Sequence, residues 1–215
     1  MRRKILGGLV VVVALAGCVS GASAHRFSLS PEAGFRVQWQ TWMPSIGWEG
    51  GQVIVSCPAT LEGSFHSRTL VKTAGALIGY ITRAVTNEAA CSSSGAAEAR
   101  LRFLAETLPW HLVYNGFEGS LPNIAAVRFN VVGQAIRVSG LSFGSSCLYL
   151  STTTRPMFDG FDLNATTRAV RNYRTAGEIP LREGSPFCSE TMFMSGNTTN
   201  VTVRGGTSSI TVTLI

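Results

Sequence analysis

The side chains able to do acid–base or ligand chemistry are few in this 215-residue chain. Its three histidines are His25, His66 and His111. His66 stands in SFHS, four residues after Glu62, and a histidine beside a carboxylate is a common general base or metal-binding pair. The spacing argues against that use here. On a strand, residues four apart share a face but lie ~13 Å apart, because each residue rises about 3.3 Å. The two aspartates, Asp159 and Asp162, fall with Asn164 in DGFDLN. They offer oxygens to calcium but lack the alternating ligands and distant glutamate of an EF-hand, so a solvated turn is expected. No GxSxG elbow, HExxH pair or P-loop occurs. The residues therefore predict no catalytic group, no metal site and no cofactor. The alternative, an extracellular hydrolase, rests on His66 or His111 with a nearby acid.

Aromatic rings are the other candidates. Trp39, Trp42, Trp48 and Trp110, with Tyr80 and Tyr114, include rings that could form a platform for a sugar. Trp42 and Trp48 fall off the expected buried alternation and flank a Pro/Gly-rich loop. With Trp110 they are the candidate ligand-binding residues of a carbohydrate-binding module. The competing reading places them in the core, where aromatic rings dominate.

The cysteines speak to compartment. Cys18 lies in the N-terminal apolar segment, which leaves Cys57, Cys91, Cys147 and Cys188, an even number. In an exported chain, two disulfides are the default. Three pairings are open. The sequential one, Cys57–Cys91 and Cys147–Cys188, is expected because each bridge would staple a local region, the first contributing ~4 kcal/mol by loop-closure entropy. No CxxC and no nearby histidine supports a zinc or redox motif.

The N-terminus reads as an export signal. MRRK is basic, and ILGGLVVVVALAG is apolar but short of the ~20 residues that cross a bilayer. Two processing sites compete. Leu15-Ala16-Gly17-Cys18 resembles a bacterial lipobox, in which the cysteine is lipidated and anchors the protein to a membrane. Ala22-Ser23-Ala24 offers an ordinary secretory cleavage site with His25 as the first mature residue. Residues 1–24 are thus a signal peptide and 25–215 one β-rich exported domain. Loss of Arg2, Arg3 and Lys4 takes the net charge from +6 to about +3. The remaining basic residues are scattered arginines plus Lys72, without a basic stripe, so nucleic acid is not an expected partner.

These features must be positioned by strands. FRVQWQTW alternates, with Phe35, Val37, Trp39 and Thr41 predicted on one face. GQVIVSC, TLEGSFHS and the segment containing Gly75 and Gly79 continue in strand-like fashion, and a glycine within a strand marks a bulge or a close approach. AAEARLRFLAETL fits a helix or a strand, and strand is preferred because PWHLVYNGFEG follows at once. NIAAVRFNVVGQAIRVSGLSF predicts a strand pair around Gly133. Residues 155–186 alternate poorly and are expected as a surface excursion, with a short helix capped by Asn164. Gly205-Gly206 predicts a closing hairpin. Glu62-Gly63-Ser64 and Glu118-Gly119-Ser120 are 56 residues apart and read as reuse of turn residues rather than a repeat. The expected fold is all-β, an antiparallel β-sandwich or irregular barrel with two disulfides.

The phrases CPATLEGSFHSRTLVKTAGALIGYITRA and ETLPWHLVYNGFEGSLPNIAAVRFNVVGQAIRV, followed by Cys147, resemble a group of uncharacterised bacterial exported proteins. The resemblance covers about residues 50–150 and the terminal SSITVTLI. It implies an exported, β-rich, disulfide-bonded protein and carries over no functional residue. The combined expectation is a non-catalytic, secreted or lipid-anchored envelope protein. Its β-domain would bind a surface polysaccharide or a protein partner or serve a structural role.

Overall fold

The structure, a computed structural model, describes residues 26–48, 51–94, 98–141 and 144–215. The first half of the chain supplies β1 (Phe27–Ser30), β2 (Gly34–Trp48), β3 (Gly51–Phe65), β4 (Thr69–Leu70), β5 (Leu77–Thr86), β6 (Ser92–Ser93), β7 (Arg100–Phe103) and β8 (Trp110–Ser120). The second half supplies β9 (Asn123–Val132), β10 (Ala135–Leu141), β11 (Ser145–Leu150), β12 (Met157–Leu163), β13 (Val170–Gly184), β14 (Thr191–Thr198), β15 (Val201–Val203) and β16 (Thr211–Leu214). Two 3₁₀ turns, Glu88–Ala90 and Ala105–Thr107, interrupt the strands.

All pairings are antiparallel. The path β2–β3–β5–β8–β9–β12–β13–β14 returns to β2, giving an irregular, ring-like sheet. Its regularity is broken by a branch. The end of β13, residues 181–184, runs past the ring to pair with β11, which leads on to β10 and β7. A separate three-stranded sheet, β16–β1–β4, holds Phe27 near Tyr114 and Phe117 of β8. Lys72 lies 5.6 and 5.7 Å from the Phe27 and Phe117 ring centres, a cation–π contact. The domain is thus all-β, as the alternation predicts, and is an irregular ring rather than a clean barrel.

Alternation decides which side chains enter the ring. In β3, Val53, Val55, Cys57, Ala59, Leu61 and Phe65 are buried and their neighbours point outward. In β2 the same rhythm runs through Phe35, Val37 and Trp39, then slips by one residue. Trp39 pairs with Ala59 and Trp42 with Cys57, three steps on one strand against two on the other. This β-bulge turns Gln40 and Thr41 outward and drives Trp42 inward. Thr41, expected inside, is exposed.

The inward rings form a continuous aromatic spine. Phe65 meets Phe35, Phe35 meets Phe161, and Phe161 meets both Phe129 and Tyr173 at centroid distances of 5.3–5.7 Å. Tyr173 then meets Trp39 at 5.3 Å, Trp39 meets Trp42 at 6.3 Å, Trp42 meets Phe103 at 4.8 Å, and Phe103 meets Trp110 at 5.4 Å. Tilted and edge-on pairs at these distances add to area burial, each by roughly 0.5–1.5 kcal/mol.

Both disulfides follow the sequential pairing, Cys57–Cys91 and Cys147–Cys188. The first ties the segment after β5 to the strand opposite the bulge. The second ties the turn after β13 to β11.

Four local expectations need correction. Residues 155–186 are not a surface excursion. They contain β12 and β13, which complete the ring and bury Met157, Phe161, Tyr173 and Ile179. No helix forms there. Asn164 instead accepts the backbone N–H groups of Thr166 and Thr167 in the turn between the two strands. β9 and β10 flank Gly133 but do not pair with each other, since β9 joins the ring and β10 the branch. The chain does turn at Gly205, with φ of 77°, but β15 pairs with β2 and β16 with β1, so no closing hairpin forms. Finally, Glu62-Gly63-Ser64 is mid-strand. A Cβ on Gly63 would sit 2.7 Å from the Tyr80 carbonyl oxygen, so the glycine serves close strand approach. AAEARLRFLAETL does contain the strand β7, and Gly79 marks the irregular register and close approach expected of it.

Candidate functional site

Trp42 and Trp110 have 2% and 0% relative exposure, so neither presents a ring face to solvent. Their place in the spine answers the platform expectation for these two rings with core packing. The bulge is the physical reason for Trp42. The Trp48 side chain lies outside the described residues, as do Cys18 and the whole signal segment.

The histidines are closer than their spacing suggests. His66, just past the end of β3, and His111 on β8 lie on either side of Tyr80 on β5, with centroid distances of 4.9 and 5.4 Å. Both are exposed. The acid that would complete a site is elsewhere. Glu62 is held by Arg83 at 2.9 Å and Arg36 at 3.7 Å. Neither histidine forms an ion pair with a carboxylate among the described residues. No group of three or more His, Cys, Asp or Glu side chains that could hold a metal occurs among them either.

Asp159, Asp162 and Asn164 likewise diverge, because strand alternation sends them different ways. Asp159 faces the interior and accepts a hydrogen bond from Tyr173. Burial pushes its carboxyl up to about 6, against the hydroxyls of Tyr173 and Thr175, which favour the charged form. The phenol of Tyr173 is pushed well above its ordinary value by the same burial and by the adjacent carboxylate. Trp39 Nε1, Trp42 Nε1 and Asp159 Oδ1 are buried without a hydrogen bond of regular geometry. Asp162 faces outward and meets Arg128 at 2.8 Å and Arg174 at 3.0 Å, while Arg128 also meets Glu118 at 2.7 Å. Burial pulls Arg128 down, but its bonds to Glu118 and Asp162 outweigh that and hold it above its usual value. The hydrogen bond from Arg128 holds Glu118 below the usual carboxylate range. This ionic group borders a cleft of about 240 Å³.

The two larger clefts have another character. One, of about 440 Å³, is lined by Gln38, Trp39, Gln40, Asn200, Pro58, Ala59, Thr60, Val85, Thr86 and Asn87. The other, of about 410 Å³, shares Gln38, Trp39, Gln40 and Asn200 and adds Thr41, Asn197, Thr198 and Thr199. Both fall within the ~300–1,000 Å³ typical of ligand sites. Neither is lined by Asp, Glu, Lys or Arg. They meet at the bulge, where Gln40 projects and Trp39 lies beneath. β15 and the end of β14 fix one wall. The Gln38 amide donates to the Asn200 carbonyl at 3.0 Å, Thr198 Oγ1 donates to the Gln38 carbonyl at 2.6 Å, and Asn200 Nδ2 donates to Gln38 Oε1 at 3.2 Å. The arrangement presents neutral donors and acceptors beside apolar carbon. It is equipped to bind and holds no charged group for acid–base chemistry.

Sequence reasoning passed over these residues because single amides carry no spacing signal. The density of amides and threonines in QWQT and NTTN was the available hint. No family model matches this sequence, and neither a curated protein nor a solved structure is similar to it. What the fold and site define is a disulfide-bonded all-β domain with neutral clefts and, among the described residues, no metal-binding cluster.

Proposed function

We propose that this is an exported, non-catalytic protein of the bacterial cell envelope whose β-domain binds an envelope partner through the paired clefts at the β2 bulge. The observation that carries the reading is the meeting of two clefts, of about 440 and 410 Å³, over one fixed strand segment lined only by uncharged side chains. Export is supported by the basic, apolar and small-residue pattern of residues 1–24 and by two disulfides, which persist in oxidising compartments. Processing takes one of two forms, lipidation at Cys18, which anchors the protein, or cleavage after Ala24, which releases it.

The test has two readouts. Intact mass of the protein recovered from the envelope fraction is expected to show either a diacylglyceryl-bearing Cys18 terminus or a His25 terminus. The uncleaved chain in the cytoplasm would contradict export. The purified domain from His25 is expected to co-sediment with isolated cell walls, and the double variant Gln40→Ala, Asn87→Ala to remain in the supernatant. Equal sedimentation of both proteins would remove the clefts from the account.

A further inference from the structure

The chemistry of the clefts can be narrowed, on the assumption that they are the binding site proposed above. The outer face of β2, β3 and β5 changes character between two successive rows. In the first row Arg36 pairs with Glu62 and Glu62 with Arg83, three charges tied to one another. Two residues further along the same strands, Gln38 pairs with Thr60 and Thr60 with Val85. Charge stops at the cleft's border. A ligand with carboxylates, phosphates or ammonium groups would enter without a counter-charge, and desolvating an unpaired charge is costly.

Each side-chain amide presents two N–H donors and a carbonyl acceptor, and each threonine hydroxyl does both. A ligand that matches such a surface must itself be rich in groups that donate and accept without ionising. Hydroxyl groups do this. The apolar carbons of Pro58, Ala59 and Val85 offer the complementary surface for C–H faces between those hydroxyls. The side-chain amides of Gln40 and Asn87 make no hydrogen bond within the described residues and are exposed, so they are available to a ligand. The Gln38–Asn200 ridge is already fastened, which reduces the ordering cost of binding.

A peptide added as an extra strand is less well served. On the side facing the second cleft, the backbone N–H and carbonyl of Gln38 are already taken by Asn200 and Thr198. Strand addition depends on such groups being free.

We infer that the paired clefts at the β2 bulge bind a neutral, hydroxyl-rich glycan that spans both clefts across Gln40. Recognition is by amide–hydroxyl hydrogen bonds, not by stacking on exposed tryptophan. Such binding is largely insensitive to salt, because no charge is screened.

Calorimetric titration of the domain from His25 with cellohexaose, maltohexaose, dextran and mannan, and with charged polygalacturonate and chitosan, tests this. At least one neutral glycan is expected to bind, with affinity unchanged within about twofold between about 50 and 500 mM salt. Loss of one hydrogen bond in Gln40→Ala or Asn87→Ala should weaken it by roughly fivefold. Thr60→Lys, which brings charge into the uncharged row lining the first cleft, should weaken it further, while Phe158→Ala on a distant part of the outer face should not. Thermal melts of each variant separate lost binding from lost folding. Binding confined to the charged polymers, or to none of the six, overturns the glycan assignment. If cell-wall sedimentation still depends on Gln40 and Asn87 in that case, the clefts take a protein and the proposed function stands. If it does not, both fall.

Discussion

Tyr173 donates its phenolic hydrogen to Asp159 across the β12–β13 pair, inside a ring of side chains that includes Phe129, Phe161 and Trp39. A carboxyl in this setting is held protonated to a higher pH than in the unfolded chain, from 3.8 to about 6. The folded state favours the protonated acid, so the penalty is absent at acid pH, grows as pH rises from about 4 through about 6, and is complete above that. Asp159→Asn is expected to remove the pH dependence in that window and to raise stability at pH 8 by roughly 2–3 kcal/mol. Urea denaturation at pH 4, 6 and 8 checks it. A variant less stable than the wild type at pH 8 would show that the Tyr173 bond outweighs the desolvation of the charge.

The Trp42 indole belongs to the interior by virtue of one inserted residue. Trp42→Ala should cost about 3–5 kcal/mol, the range for truncating a buried large aromatic. Fluorescence quenching by iodide is expected to be little changed by Trp42→Phe, since the ring is shielded. Destabilisation below ~1 kcal/mol would place the ring at the surface and restore it as a ligand platform.

How much of this could be read in advance divides along physical lines. β3 was legible in part, because buried Val53, Val55, Cys57, Ala59 and Leu61 alternate with Gln52, Ser56, Thr60 and Glu62, although Ile54 also faces outward and Glu62-Gly63-Ser64 reads as a turn. The bulge in β2 was not, because Gln40 and Thr41 fit an unbroken strand as well as a broken one. β12 and β13 were misjudged because their polarity is inverted at key points. Asp159 faces the core and Phe158, 51% exposed, faces water. Local pattern then contradicts the tertiary placement, which pairing partners on β9 and β14 decide. The disulfide pairing was readable because both bridges are local in sequence. The clefts were not, since Gln38, Thr60, Asn87 and Asn200 come from separate elements that only the ring brings together.

Gly184 is required by the second disulfide. A Cβ there would lie 2.5 Å from Cys188 Sγ and 3.3 Å from the Ser146 carbonyl oxygen. Gly184→Ala should therefore displace the bridge or the β11–β13 pairing, raising the fraction of free thiol after oxidative refolding. Equal thiol titration for the variant and the wild type would show that the turn after β13 absorbs the methyl group.

The two arginines on Asp162 should differ in worth. Arg128 is 16% exposed and bonds two carboxylates, whereas Arg174 is 55% exposed and bonds one. Arg128→Ala is expected to cost about 1–3 kcal/mol, because it leaves Asp162 half-buried with a poorer partner. Arg174→Ala should cost under ~1 kcal/mol, as exposed pairs usually do. Gly160→Ala should cost at least as much as the arginine loss, since its Cβ would come within 2.7 Å of the Val127 carbonyl oxygen as well as of Arg128 Nη1. Midpoints of urea unfolding rank the three.

The most direct test of the central claim is chemical-shift mapping of the isotope-labelled domain titrated with the neutral glycan that binds it most tightly. Saturable shifts confined to residues 38–41, 58–60, 85–87 and 197–200 are the predicted result. Shifts centred instead on His66, Tyr80 and His111, or on the Arg128 cleft, would contradict the assignment of function to the β2 bulge.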